Sequence, residues 1–155
     1  MRNVSNNLGR IKMTLREGSL LLLRVSTGTL MLIWGADKLV NVAHGVQVSD
    51  LFYLGLFSAP GLLKAFGVFQ VLVGFLIVVG LLRRYSYPAL LAITAATLLG
   101  VWRSVVDPHA WVIEGGNVLF YPSIIIFAGA LVLWSFRPDD RLSIDARRGQ
   151  SSRPE

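Results

Sequence analysis

The stretch Phe66–Arg84 reads FGVFQVLVGFLIVVGLLRR. No charge falls between Lys64 and Arg83, and the run closes on two arginines. A helix rises about 1.5 Å per residue, so about 20 apolar residues cross a hydrocarbon core of about 30 Å. The segment from about Gly61 to Leu82 has that length and reads as a membrane-spanning helix. Three further runs repeat the pattern. The first covers about Gly18 to Val40, with Arg24 inside it. Another covers Tyr87 to Val106, with Pro88 suited to its opening turn. The last covers Val118 to Phe136, where Pro122 either starts or kinks the helix.

Composition agrees with this reading. Of the 155 residues, 54% are hydrophobic and 15% charged, whereas soluble domains carry about 25% charged residues. A mean hydropathy of +0.59 excludes disorder and argues against a soluble enzyme. The absence of cysteine excludes a disulfide scaffold, thiol redox chemistry and thiolate metal sites on this chain. A secretory signal peptide is the competing reading of the first run. Arg24 interrupts its apolar stretch, and no small-residue cleavage pattern follows.

The net charge of +6 is distributed in a way that excludes nucleic acid as the partner. Eleven of the 15 basic residues lie in three alternate segments: before the first run, between the second and third at Arg83 and Arg84, and after the last. The connections Asn41–Pro60 and Asp107–Asn117 contain none. This is the positive-inside pattern, and it places both termini in the cytoplasm. Arg24 then lies near the inner face, where it can snorkel to the headgroups. The expected architecture is an all-α integral membrane protein, a four-transmembrane-helix bundle. It divides into a basic N-terminal segment (1–17), the helical domain (18–136; spans 18–40, 61–82, 87–106 and 118–136) and a polar basic tail (137–155). The tail's RRGQSSRPE (147–155) is expected to be disordered.

In the outer connections, LFYLGLFSAPGLL (Leu51–Leu63) is apolar but too short to cross. Ser49 and Asp50 are candidate N-caps for a short interfacial helix there, and Asp107-Pro108 offers a second start. Trp34, Tyr53, Trp102, Trp111 and Tyr121 fall near the outer boundary, as an aromatic belt does. Small residues mark the packing faces: Gly28 and Gly35 in the first span, Gly67 and Gly74 in the second, Gly100 in the third. They let helix backbones approach where no water drives association.

Charges left within or beside the spans are the candidate functional residues. Asp37 and Lys38 end the first span, Lys64 opens the second, and Arg103 and Asp107 end the third. Because the helices alternate in direction, all five reach the same outer level, with Gln70 about 9 Å deeper than Lys64. Charges at membrane depth pair or line a cavity, so these residues outline a polar pocket. Snorkelling with Asp37 and Asp107 as counter-ions is the plainer alternative. Asp37 and Lys38 point about 100° apart, so Asp37 is expected to pair with Lys64 or Arg103. His44 and His109 show no spacing for a metal or haem site. No nucleotide-binding, hydrolase or metalloprotease motif is present, and no catalytic residue or metal ligand can be assigned.

LLLRVSTGTLMLIWGADKL (Leu21–Leu39), with its early arginine and the G-x-x-K-L ending from Gly35 to Leu39, resembles the opening helix of the DoxX family. Phe66–Arg84 is similar to that family's glycine-punctuated second helix, which closes in a Gly-Leu-x-x-Arg turn. RLSIDARR (Arg141–Arg148) resembles its S-L-D ending. Gln70 departs from the pattern, which often has a glutamate there. The resemblance implies a four-helix bacterial or archaeal inner-membrane protein of the DoxX/DoxD kind, associated with membrane oxidoreductase systems such as a thiosulfate:quinone oxidoreductase. It further implies that the outer pocket faces a quinone or a redox partner. Lys38, Arg103 and Gln70 would then act as hydrogen-bond donors, and Trp34 would stack on the ring. A redox-complex subunit in contact with lipid and other subunits is the resulting expectation. A purely structural or assembly subunit, a homo-oligomer joined through the glycine faces, and a small-solute transporter remain as alternatives.

Overall fold

The computed structural model describes residues 14–53, 55 and 58–151, with side chains described to Arg148. Arg2, Arg10, Lys12 and Arg153 of the charge argument, and Leu54, Leu56 and Phe57 of the outer connection, lie outside the described residues. Among the described residues all regular structure is helical.

Helix α1 (Leu15–Val40) begins at a capping box. The Thr14 hydroxyl accepts from the Glu17 amide, and the Glu17 carboxylate accepts from the Thr14 amide. It ends at Asn41, whose side chain accepts from the His44 amide and so starts α2 (Val42–Phe52) at once. The outer helix therefore precedes the expected position: Ser49 and Asp50 lie in its last turn and not at its start. Asn41, one turn beyond Asp37, already supplies the cap. Helix α3 (Pro60–Val79) opens on a proline and closes at Gly80, which takes the left-handed conformation (φ 69°). That closure ends the helix three residues before the expected Leu82.

Helix α4 (Arg83–Gly100) starts earlier than expected and encloses Pro88. Its first amides find a cap from far along the chain, described below. The expected span to Val106 is broken at Val101, after which a short α5 (Trp102–Val106) follows. A 3₁₀ turn (Val118–Phe120) leads through Pro122 into α6 (Ser123–Ser135). After a second 3₁₀ turn (Arg137–Asp139), residues 147–151 of the stretch expected to be disordered fall in α7 (Ile144–Ser151), and residues 152–155 lie outside the described residues.

Three segments are long and apolar enough to cross a membrane: Leu15–Val40, Pro60–Val79 and Val118–Ser135. Helix α4 opens on two arginines and falls outside that group. Leu22, Ile33, Leu72, Phe75 and Ile125 are exposed on the outer faces, whereas Met31, Val73, Ile77, Tyr87, Leu90, Ala130 and Leu133 form the core. Apolar side chains inside and outside together fit a lipid solvent.

The principal packing is α1 against α3, with α4 on α6. A Cβ on Gly28 would lie 2.9 Å from the Gly74 carbonyl oxygen, and one on Gly74 would lie 2.8 Å from that of Gly28. Gly35 and Gly67 repeat this one heptad away, at 2.9 and 3.0 Å. The pairing runs antiparallel, and it uses these four glycines within the chain. Gly100 faces the Tyr53 ring.

Gly74→Ala should therefore destabilise the protein by about 2 kcal/mol, the range for overpacking. Gly61→Ala should change stability by under about 0.5 kcal/mol, because nothing lies within 4 Å of a Cβ there. Thermal unfolding in mild detergent compares the two, and equal effects would contradict the seam.

Candidate functional site

The seven outer residues do not form one pocket. Asp37 pairs with His44, its Oδ2 2.7 Å from Nδ1, and not with Lys64 or Arg103. The Asn41 elbow restarts the helix so that His44 comes over the last turn of α1. Lys64 is exposed on the first turn of α3. Arg103 is exposed as well, with its guanidinium over the Trp102 ring.

Asp107 is a loop anchor. Its carboxylate accepts from the Ile113 amide at 2.8 Å and the Val112 amide at 2.6 Å. Those two backbone donors hold its carboxyl below the usual carboxylate range. Loop residue Trp111 stacks on His109, ring centroids 5.0 Å apart. Among the described residues no group of three metal-ligating side chains converges.

Trp34, Lys38 and Gln70 remain together at the α1–α3 seam. Lys38 Nζ donates to the Trp34 carbonyl at 3.1 Å and lies 5.6 Å from the Phe66 ring centroid. Lys38 Cβ rests where Gly67 leaves room. One turn further in, Gln70 is 1% exposed. Its Nε2 donates weakly to the Met31 sulfur at 3.6 Å, and its Oε1 has no hydrogen-bond partner. A buried acceptor left unpaired in this way costs about 1–3 kcal/mol.

The most strongly built polar cluster lies at the other end of the bundle. Arg24 does not snorkel: its side chain is 3% exposed and faces Asp140, itself 1% exposed, at 3.0 Å. Asp140 also accepts from the Tyr87 hydroxyl at 2.6 Å and from Arg83 Nη1 at 3.4 Å. Arg24 Nη2 donates to the Leu142 carbonyl, and Arg83 Nη1 donates to the carbonyls of Arg137 and Asp140. Asp145 caps α4, its carboxylate accepting from the Leu82 amide at 3.1 Å and the Arg83 amide at 2.7 Å. That cap holds Leu82 in its left-handed conformation (φ 52°) and explains why α4 begins at Arg83. The guanidinium of Arg24 fills the space where a Cβ on Gly80 would lie.

Reading the sequence alone missed Asp140, Tyr87 and Asp145. The available signal was Arg24 itself, since a charge within an apolar run calls for a partner. The tail's three aspartates stand at the same level.

Chains of this build, with lipid-length apolar helices and with charges at their ends or in a buried ion pair, are multi-pass integral membrane proteins, and their exposed apolar faces contact lipid. The DoxX family's sequence profile matches residues 19–103, more than half of the chain, and the protein belongs to that family. The matched stretch holds the α1–α3 seam, Arg24, Arg83 and Tyr87, whereas Asp140 and Asp145 lie beyond it. No curated protein and no solved structure matches the chain.

Asp140→Asn leaves Arg24 buried without a counter-charge and should cost about 3–5 kcal/mol. It should also open the tail to trypsin at Arg141. Asp139→Asn, which removes the exposed partner of Arg16, should cost under about 1 kcal/mol. Equal trypsin sensitivity in the two variants would contradict the clasp.

Asp107 titrates lower in the folded loop than in the free chain, so its contribution to loop order is complete above the ordinary aspartate range and lost as pH falls through the lowered value. The protection factors of the Val112 and Ile113 amides against hydrogen exchange should therefore fall selectively in acid. Asp107→Ala should lack that protection at every pH. Protection unaffected by either change would contradict the anchor.

Proposed function

We propose that this chain is a small subunit of a redox or respiratory-type complex in the bacterial or archaeal cytoplasmic membrane, offering a quinone site at the outer part of the α1–α3 seam. In this reading α1, α3, α4 and α6 cross the bilayer as a four-helix bundle, with both termini in the cytoplasm. Helices α2 and α5 lie at the outer interface. Apart from Arg103 in α5, the connections between α1 and α3 and between α4 and α6 contain no basic residue, which supports that topology. Family membership supports the redox setting.

The observation that carries the site is the placement of Lys38 and Gln70 on adjoining turns of one seam. Lys38 is half-buried over an aromatic ring and has ammonium protons beyond the one given to the Trp34 carbonyl. Those protons suit a carbonyl oxygen. Gln70 Oε1 is an unpaired buried acceptor that suits a ring hydroxyl. A lipophilic ring bearing both groups satisfies the donor and the acceptor that the protein leaves over, and Phe66 and Trp34 supply apolar surface. When bound, a quinone supplies the electron and proton transfer; the chain's residues bind and orient its polar edge. Arg103, Lys64, Asp37 and Asp107 have no part in this site.

Lys38→Met should reduce quinone retained on extraction in mild detergent about tenfold or more, the equivalent of one charge-assisted hydrogen bond. Partner subunits should still co-purify, and Arg103→Met should behave like the parent. If Lys38→Met instead keeps its quinone and loses its partners, the chain acts in assembly and the quinone reading is wrong.

A further inference from the structure

The arginine-rich end of the bundle carries a second surface that the seam does not use. Among the described residues this end holds eight arginines and four carboxylates. All four carboxylates are engaged by the protein itself. Asp140 is enclosed by Arg24, Arg83 and Tyr87, and Asp145 caps α4. Glu17 closes its own capping box, and Asp139 pairs with Arg16. The positive excess is therefore left to the surface, where Arg84, Arg141 and Arg147 are exposed.

Three of these guanidinium groups stand over aromatic rings: Arg137 over Trp134 at 5.3 Å, Arg16 over Phe136 at 5.4 Å, and Arg84 over Tyr85 at 6.0 Å. All three rings are exposed, Tyr85 to 67%. Trp134 and Phe136 continue the apolar outer face of α6, which also exposes Ile125, Leu131 and Val132. Each cation is thus held at the border between hydrocarbon-facing surface and the charged end. An occupant that satisfies both must present a phosphate to the guanidinium and a hydrocarbon chain to the ring.

We infer that this rim is a docking surface for anionic phospholipids, with Arg84, Arg137 and Arg147 as its principal phosphate contacts. Guanidinium matches phosphate in bidentate geometry. The clasp at Asp140 and Asp145 presents α7, and Arg147 with it, beside the start of α4. An acidic protein would satisfy the charge but leave the rings and the adjoining face of α6 uncovered. The inference does not depend on the quinone site.

The test uses the full chain in phosphatidylcholine bilayers with trace spin-labelled phosphatidylglycerol or phosphatidylcholine. Each engaged arginine is worth about fivefold in association. The protein should prefer phosphatidylglycerol by about fivefold or more at low salt, and the preference should shrink at high salt. The triple variant Arg84→Gln, Arg137→Gln, Arg147→Gln should bring the ratio close to one. The corresponding triple lysine variant should retain most of the preference, and Arg103→Gln should retain all of it. A ratio near one in the parent protein overturns the inference. So does a glutamine variant that keeps its lipid preference, including one that loses an acidic co-purifying protein instead. If the glutamine variant fails to fold, as judged by circular dichroism, the salt dependence of the parent and the ratio of the lysine variant decide the matter in the same way.

Discussion

The close approach of α1 and α3 is the constraint on which the rest of this molecule depends. In a bilayer, water does not drive helices together, so contact must come from packing. Gly28 against Gly74 and Gly35 against Gly67 bring the two backbones to distances that no side chain permits. Because both contacts repeat at one heptad, they also fix the register. One turn before Gly28 on α1, that register sets Arg24 so that its long side chain reaches Gly80, whose missing side chain leaves room for the guanidinium. Continued outward, it sets Lys38 against Phe66 and Gly67, with Gln70 and Met31 facing each other between the two glycine contacts. Both polar sites are thus consequences of one apolar contact.

The Arg24–Asp140 cluster then determines how the chain turns after α6. A buried arginine is costly without a counter-charge, and the nearest solution in sequence, Glu17, is committed to the cap of α1. Asp140, just beyond α6, is drawn in instead, and the chain from Arg137 to Asp145 folds back across the ends of α1, α3 and α4. Asp145 is placed by the same reversal to cap α4, an end that has no cap of its own in sequence. The tail therefore acts as a clasp across these three helices. Asp140 and Asp145 are turned to the helix ends and Asp139 is taken by Arg16, and this leaves the surrounding arginines exposed at the rim.

The fold was legible where a single local rule applies. The uncharged run before Arg83 identifies a membrane helix and the glycines at 28, 35, 67 and 74 mark a face, whereas α3 ends three residues short of the expected Leu82 because Gly80 closes the helix in the left-handed conformation. Boundaries were less legible wherever a distant group sets them. The start of α4 depends on Asp145, 62 residues away, and the break at Val101 follows Gly100, which packs on Tyr53. Helix direction alone puts the candidate residues at one expected level, but level does not fix azimuth. Lys38 turns to the seam, Lys64 and Arg103 turn outward, and Asp37 meets a histidine that the Asn41 elbow brings round. Asp140 escaped notice because a polar tail reads as solvated until the buried Arg24 is asked for its partner.

The register of the α1–α3 seam is tested most directly by disulfide cross-linking in this naturally cysteine-free chain. A Cβ on Gly74 lies 3.0 Å from that of Met31, and one on Gly67 lies 3.1 Å from that of Lys38. A few tenths of an ångström of relaxation brings both pairs into disulfide range. Met31→Cys with Gly74→Cys, and Lys38→Cys with Gly67→Cys, should cross-link on mild oxidation in membranes. The exchanged pairs, Met31→Cys with Gly67→Cys and Lys38→Cys with Gly74→Cys, are separated by about 10 Å along the axis and should not. Cross-linking of the exchanged pairs in preference to the matched ones would contradict the seam and both sites built upon it.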